Sequence, residues 1–443
     1  MKIQLSDHFS YGRLIRFTLP SIAMMIFTSI YGVVDGFFIS TFTNKTSFAA
    51  VNFIFPFLMI LGAIGFMLGT GGSALVAKNL GEGDRDKANR LFSMVIYVSI
   101  LAGAVITVAG MFLLRPVASW LGAEGQLLED CVTYGRIILV AMIPFMLQIE
   151  FQSFFITAEK PKLGLFATLA SGITNIVLDA LFVGVLGFDL VGAAFATALS
   201  QAVGGFFSIG YFILPTNHSL LHLTRFSLDL KSLLKVCTNG SSELLSNISM
   251  SVVSMLYNFQ LMKLEGEDGV AAYGVLMYVG MIFIAVFIGY SIGTAPIIGF
   301  NLGAENYGEL KSLLKKSLVL IGVTSLVMLI LSIILAEPLS NLFVGYDDYL
   351  LNLTIRGFYI FSFSFLFTGM AIFGSSFFTA LNNGLISAII SFLRTLVFQT
   401  AAVIFLPMII GIDGVWISLV VAELLATAVA FIFILAKRKK YHY

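Results

Sequence analysis

The chain has 443 residues, 58% of them hydrophobic and 11% charged, with a formal net charge of +1 and a mean hydropathy of +0.98. That balance excludes a water-soluble globular domain of ordinary composition, and the near-neutral charge gives a nucleic-acid partner no footing. Cys131 and Cys237 are isolated, and the four histidines (His8, His218, His222, His442) fall in loops or tails, so no metal or redox site is indicated.

A run of at least about 18 apolar residues can cross a hydrocarbon core, and twelve such runs follow one another along the chain. In the first half they cover 14–40, 48–77, 90–114, 131–157, 163–186 and 190–213. The second half gives 236–262, 270–299, 311–335, 353–379, 385–409 and 413–436. Each must be a helix, because an open strand would leave backbone groups unsatisfied in lipid. The polar segment Met1 to Gly12 and the length of the first run argue against a cleaved signal. The expected fold is therefore an all-α polytopic membrane protein.

Lysine and arginine set the expected orientation. Nineteen of the 25 fall in the first 16 residues, in loops 78–90, 159–162, 215–235 and 300–316, and in the tail Lys437 to Lys440; the opposite loops hold Lys45, Arg115 and Lys263. Positive charge stays inside, which predicts cytoplasmic N- and C-termini in a plasma membrane.

The segment AKNLGEGD, Ala77 to Asp84, recurs as GFNLGAEN, Gly299 to Asn306. The offset of 222 is half the chain. Without a gap it also pairs Gly192-Ala193-Ala194 with Gly414-Val415-Trp416, and Gln201 with Glu423. Six spans per half is an even number, so both halves enter the membrane from the same side. The spans thus form two six-helix bundles related by a parallel pseudo-two-fold: an N-lobe over 1–214, a cytoplasmic linker over 215–235 and a C-lobe over 236–443. A two-lobed bundle leaves a central cleft that rocking exposes to alternate sides. Gly69-Thr70-Gly71-Gly72 lacks the lysine of a phosphate-binding loop, so an ion gradient is the expected driving force.

The LGEGD run and the basic and alanine positions after it, GFNLGAEN in the matching loop, Val34-Asp35 in the first span, and Asn175 to Asp179 in the fifth together resemble the multidrug and toxic compound extrusion (MATE) family. The likeness covers essentially the whole chain and is to the bacterial subdivision of DinF-like and MepA-like exporters. It implies a secondary antiporter that exports lipophilic, often cationic compounds in exchange for H+ or Na+. A lipid or lipid-linked oligosaccharide flippase of the same wider superfamily is the alternative; it would need a cationic cleft for phosphate.

Ionisable groups cost about 2.5 to 3.5 kcal/mol at the bilayer centre on insertion scales, so each needs a partner or a function. At 1.5 Å per residue, Asp35 lies about 30 Å and Asp179 about 24 Å up their outward-running spans. Asn175 sits one turn from Asp179 on the same face, and Thr197 in the sixth span reaches similar depth. Two carboxylates held close in a low dielectric cannot both ionise easily, so the pair can hold a proton; with an amide and a hydroxyl the same oxygens suit Na+. The resemblance agrees, since positions matching Asp35, Asn175, Asp179 and Thr197 form the cation-coupling site of DinF-like members. A polar cluster that only ties three helices together is the structural alternative, but two acids without a base make poor glue.

Tyr31, one turn before Asp35, and Tyr134, at the outer end of the fourth span, are expected neighbours of the cluster. An interfacial aromatic is the other reading of Tyr134. Gln152 is a further polar candidate. By the 222 offset Asp35 maps to Tyr257, Asn175 to Val397, Asp179 to Ala401 and Thr197 to Leu419, so the cluster exists once. The second half offers Glu243 and Arg394 as an expected ion pair. Glu423, mate of Gln201, is read either as facing the cleft or as packing glue, and Glu150 has no evident partner. Pro20, Pro56, Pro144 and Pro296 are expected kink points, and 43 phenylalanines and 17 methionines suit an adaptable apolar pocket. No cofactor is expected; the partners are membrane lipids and small-molecule substrates, and the functional unit is a monomer.

Overall fold

The computed structural model describes residues 3–214 and 217–443, and its regular structure is helical throughout. Among the described residues nine helices are long and apolar enough to cross a membrane, and two bent helix pairs add a span each. One of the nine, Leu230–Gly303, has 74 residues, about 110 Å of helix and far more than one span needs. It breaks at Gly266, where φ is 65° and ψ is −142°, a conformation open to glycine at little cost. The break divides it into the seventh and eighth spans and completes twelve.

Local sequence sets the ends. Ser10, Asn44, Asp84, Asp229, Asn306, Asp347 and Asn383 cap the helices that follow them by accepting backbone N–H bonds. The duplicated turns share one geometry. Asn79 Nδ2 donates to the Leu75 carbonyl at 2.8 Å and Asn301 Nδ2 to that of Ile297 at 2.9 Å. Gly83 and its mate Glu305 both have positive φ, 82° and 53°, and Asp84 and Asn306 cap the third and ninth spans.

The duplication extends to distortions. The fourth span bends by 55° between Gly125–Val140 and Met142–Thr157, and the tenth by 49° between Asp348–Ser362 and Phe365–Ala380. Pro144, just inside the second half of the fourth span, accounts for the first bend. The fifth and eleventh spans each pass through a π-helical turn, at Ala180–Val185 and Leu393–Phe398. By contrast, the helix Tyr11–Phe42 is continuous through Pro20.

Buried side chains form two hydrophobic clusters. One runs from Ile39 to Val236, the other mainly from Val253 to Tyr443. Leu5, Phe9, Leu14 and Phe17, although at the start of the chain, pack with the second cluster. Of the linker, Pro215 and Thr216 lie outside the described residues. Residues 217–229 have no regular structure and lie along the third span, where His222 N donates to Asn89 Oδ1 at 2.8 Å and Thr224 N to Ser93 Oγ at 2.7 Å. The seventh span starts at Leu230, earlier than hydropathy places it, because the Asp229 cap recruits the polar turn ahead of the apolar run.

Candidate functional site

Helical spacing on the fifth span puts Thr168, Ser171, Asn175 and Asp179 on one face, and all four are buried. The first span packs on this face: a methyl group added at Gly172 would come within 2.8 Å of the Tyr31 ring. That close approach carries Asp35, one turn beyond Tyr31, to Asp179. The carboxyls of Asp35 and Asp179 face each other with Asn175 and Thr197 alongside. Three spans therefore bring together the four residues singled out from depth and from the family resemblance.

Asp35 Oδ1, both oxygens of Asp179, both polar atoms of Asn175 and Thr197 Oγ1 are enclosed, and none makes a hydrogen bond of good length and angle. Buried polar groups are ordinarily satisfied; here Asp179, Asn175 and Thr197 all lie within interaction range of Asp35, so the cluster is closed loosely on itself and keeps coordination capacity. Carboxylate, amide and hydroxyl oxygens are the donor set of a hard cation, and a carboxyl pair also accepts a proton; the residues present fit either ion.

Tyr134 is 3% exposed and stands in the electrostatic field of both Asp35 and Asp179, so it faces the cluster and not the interface. Tyr31 is half-buried beside Asp35. Gln201, one turn below Thr197, keeps its Oε1 enclosed and unpartnered. Gln152 does not join the group, because it lies 18 residues further along the bent fourth span than Tyr134, a full turn past Gln148. A layer that sequence reasoning missed lies beneath: Ser171 Oγ donates to the Ser200 carbonyl at 2.8 Å and contacts Gln148 Oε1 at 3.3 Å. The polar stripe 168/171/175/179 was the available signal for Ser171; Gln148 carried none. Toward the far end of the same bundle, a cavity of about 300 Å3 is lined by Asn44, Ser47, Asp130, Thr133 and Asp189 among others.

The second bundle corrects one expectation. Arg394 pairs with Glu423 and not with Glu243: Nη2 meets Oε1 at 2.8 Å, and Nε lies 3.0 and 2.9 Å from the two carboxylate oxygens. Depths counted from opposite faces hid this, since both residues lie near mid-membrane and the long arginine reaches across. Glu423 is 1% exposed, so its charge is spent inside the bundle and does not line the cleft. Glu243 stays within electrostatic range of Arg394. Glu150 is fully buried, with the Ser99 hydroxyl as its polar neighbour.

Fold and site together define a multi-pass, internally duplicated helical membrane protein with one buried carboxylate pair. The model of the MatE family matches residues 20–181 and 244–404, one stretch in each half, and the chain belongs to that family. It is similar to the "Multidrug export protein MepA" of Staphylococcus haemolyticus, 26% identical over 437 residues, covering 97% of this chain and 94% of the relative. The protein of the same name from Staphylococcus aureus strain MSSA476 is 25% identical over 438 residues, with the same coverage. A crystal structure of MATE in complex with MaL6 has the same fold, with a TM-score of 0.92 at 24% identity over 98% of both chains.

Proposed function

We propose that the protein is a secondary multidrug efflux antiporter, exporting lipophilic, often cationic compounds in exchange for H+ or Na+. The observation that carries this reading is the enclosed Asp35–Asp179 pair with its unpartnered oxygens, inside a chain whose relatives are named multidrug export proteins. Asp35 and Asp179 bind the coupling ion; Asn175 and Thr197 complete its shell; Tyr31 and Tyr134 flank it. Ion and substrate favour opposite steps of one conformational cycle, which is what coupling requires. The lysine and arginine bias supports cytoplasmic termini, the staphylococcal relatives support a bacterial plasma membrane, and on this reading the monomer with its surrounding lipid is the working unit. A flippase is disfavoured because Arg394, the mid-membrane charge that a lipid phosphate would need, is held by Glu423.

The test is dye efflux from proteoliposomes under a pH gradient or a sodium gradient imposed separately. Acceleration by either one supports antiport and names the ion. Efflux indifferent to both gradients overturns it.

A further inference from the structure

The duplicated Asn-Leu-Gly turns meet each other. A methyl group built on Gly81 would overlap the Phe300 carbonyl, and one built on Gly303 would overlap the Lys78 carbonyl. Gly81 and Gly303 are mates under the 222 offset, and so are Lys78 and Phe300. The same contact is thus made twice, each half supplying the glycine for one and the carbonyl for the other, as a two-fold axis through the seam requires.

The seam continues away from the turns. Gly71 abuts the Val236 carbonyl and Gly240 that of Met67, where the second span meets the seventh. The offset maps 71 to Gly293 and 67 to Gly289, and these two glycines abut Thr18 and Ile22 where the eighth span meets the first. Asn382 adds a polar tie, its Nδ2 donating to the Ala74 carbonyl at 3.2 Å. All these contacts fall in the half of the molecule nearest the termini. At Gly71, Gly81, Gly240, Gly289 and Gly303 backbone lies against backbone with no room for a Cβ, the closest approach that two helices can make, whereas Gly293 meets the Thr18 side chain.

We propose that the duplicated Asn-Leu-Gly turns are the two halves of a glycine gate that closes the terminal face of the cleft. Its tightness is what holds the closed state over the open one. Flexible side chains would let the lobes slide apart by degrees, whereas bare backbone contact is either made or lost, which suits a two-state element. Repetition of the motif is then explained by the contact: each copy is the other's partner. This rests on the alternating-access reading; wild-type efflux tests that reading by itself, whereas the experiment below reads the seam, so the two can fail separately.

Cys237 reports on the gate. It sits next to Val236 on the seventh span, is half-buried, and packs against the hydrophobic cluster of the first half. In a Cys131→Ser background, so that one thiol remains, maleimide labelling of purified protein in nanodiscs follows its exposure. Gly81→Ala and Gly303→Ala should each accelerate labelling by about fivefold or more, the population shift expected of a wedge worth about 1 kcal/mol. The two rates should be alike, because the contacts are symmetry mates. Gly210→Ala, where a methyl meets nothing within 4 Å, should leave the rate unchanged. Unaltered labelling in folded Gly81→Ala and Gly303→Ala overturns the proposal, and so does acceleration in one alone. If neither folds, Asn382→Gly decides, its rate taken relative to Asn239→Ala: both lose the 2.7 Å bond between Asn239 and Asn382 inside the second half, but only Asn382→Gly loses the tie to Ala74, and glycine tolerates the φ of 56° found there. Labelling about twofold faster supports the gate, and an unchanged rate overturns it.

Discussion

The fifth and eleventh spans hold matching places in the two halves, and both interrupt their α-helix with a π-turn, a feature that recurs at functional sites. In the fifth the turn directly follows Asp179, whose oxygens are enclosed and unpartnered. In the eleventh it contains Arg394, whose guanidinium is closed on Glu423 by three short contacts. The two turns do not coincide under the 222 offset, which carries Ala180–Val185 to 402–407 rather than to Leu393–Phe398, so each half distorts its own span beside its own charge. One half holds two acids with open coordination, the other a neutralised pair. The difference separates a group available to an exchanging ion from one that is already satisfied.

Removing the open acids should have the largest effect. Asp35→Asn and Asp179→Asn keep shape and lose the exchangeable charge, so gradient-driven dye efflux in proteoliposomes should fall to the leak of empty vesicles while the protein still inserts and purifies. Undiminished efflux in both variants would erase the contrast between the bundles.

The closed pair should answer in stability instead. Arg394→Met leaves Glu423 buried without its counter-charge and should cost about 3–5 kcal/mol, read as a fall in Tm in detergent. The double variant Arg394→Met/Glu423→Leu should recover most of that loss, since replacing a buried pair by apolar groups is often neutral, and it should retain efflux. A double variant with normal Tm and no transport would make the second bundle a functional partner.

Tyr134→Phe sharpens the first site at smaller amplitude. Removing one hydroxyl beside the acids should change Tm little, and it should raise the ion concentration for half-maximal efflux about fivefold, the weight of one hydrogen bond of about 1 kcal/mol. An unchanged ion dependence would return Tyr134 to a packing role.

Hydropathy exposed the twelve spans because lipid demands long apolar helices, and the offset exposed the repeat because the turns demand the same capping residues twice. Depth counting found the Asp35, Asn175, Asp179 and Thr197 group because those residues lie at one level of a single bundle. It failed for Arg394, whose partner depended on side-chain reach and on which faces of the eleventh and twelfth spans meet. Gln148 was hidden likewise: an isolated polar residue carries no periodicity, and its contact with Ser171 exists only after three helices pack. The glycine seam was in view as a motif, but its meaning lay in contacts across 222 residues.

The smallest expected effect concerns a cap shared by the linker and the second half. Hydrogen bonds from Ser232, through its hydroxyl at 2.5 Å and its N–H at 3.2 Å, and from Lys231 N at 3.1 Å hold the Asp229 carboxyl below the usual carboxylate range. A depressed native value means that the cap's contribution is complete above the ordinary carboxylate range and is lost as pH falls through the lowered one. Asp229→Asn still caps the helix but cannot titrate. Its Tm should therefore match wild type near neutrality and fall slightly less steeply on the acid side, in a parallel pH series of melts. Coincident acid limbs would mean that the linker end of the seventh span frays before the bundle melts, and that the second half begins, in energetic terms, at the apolar run and not at its cap.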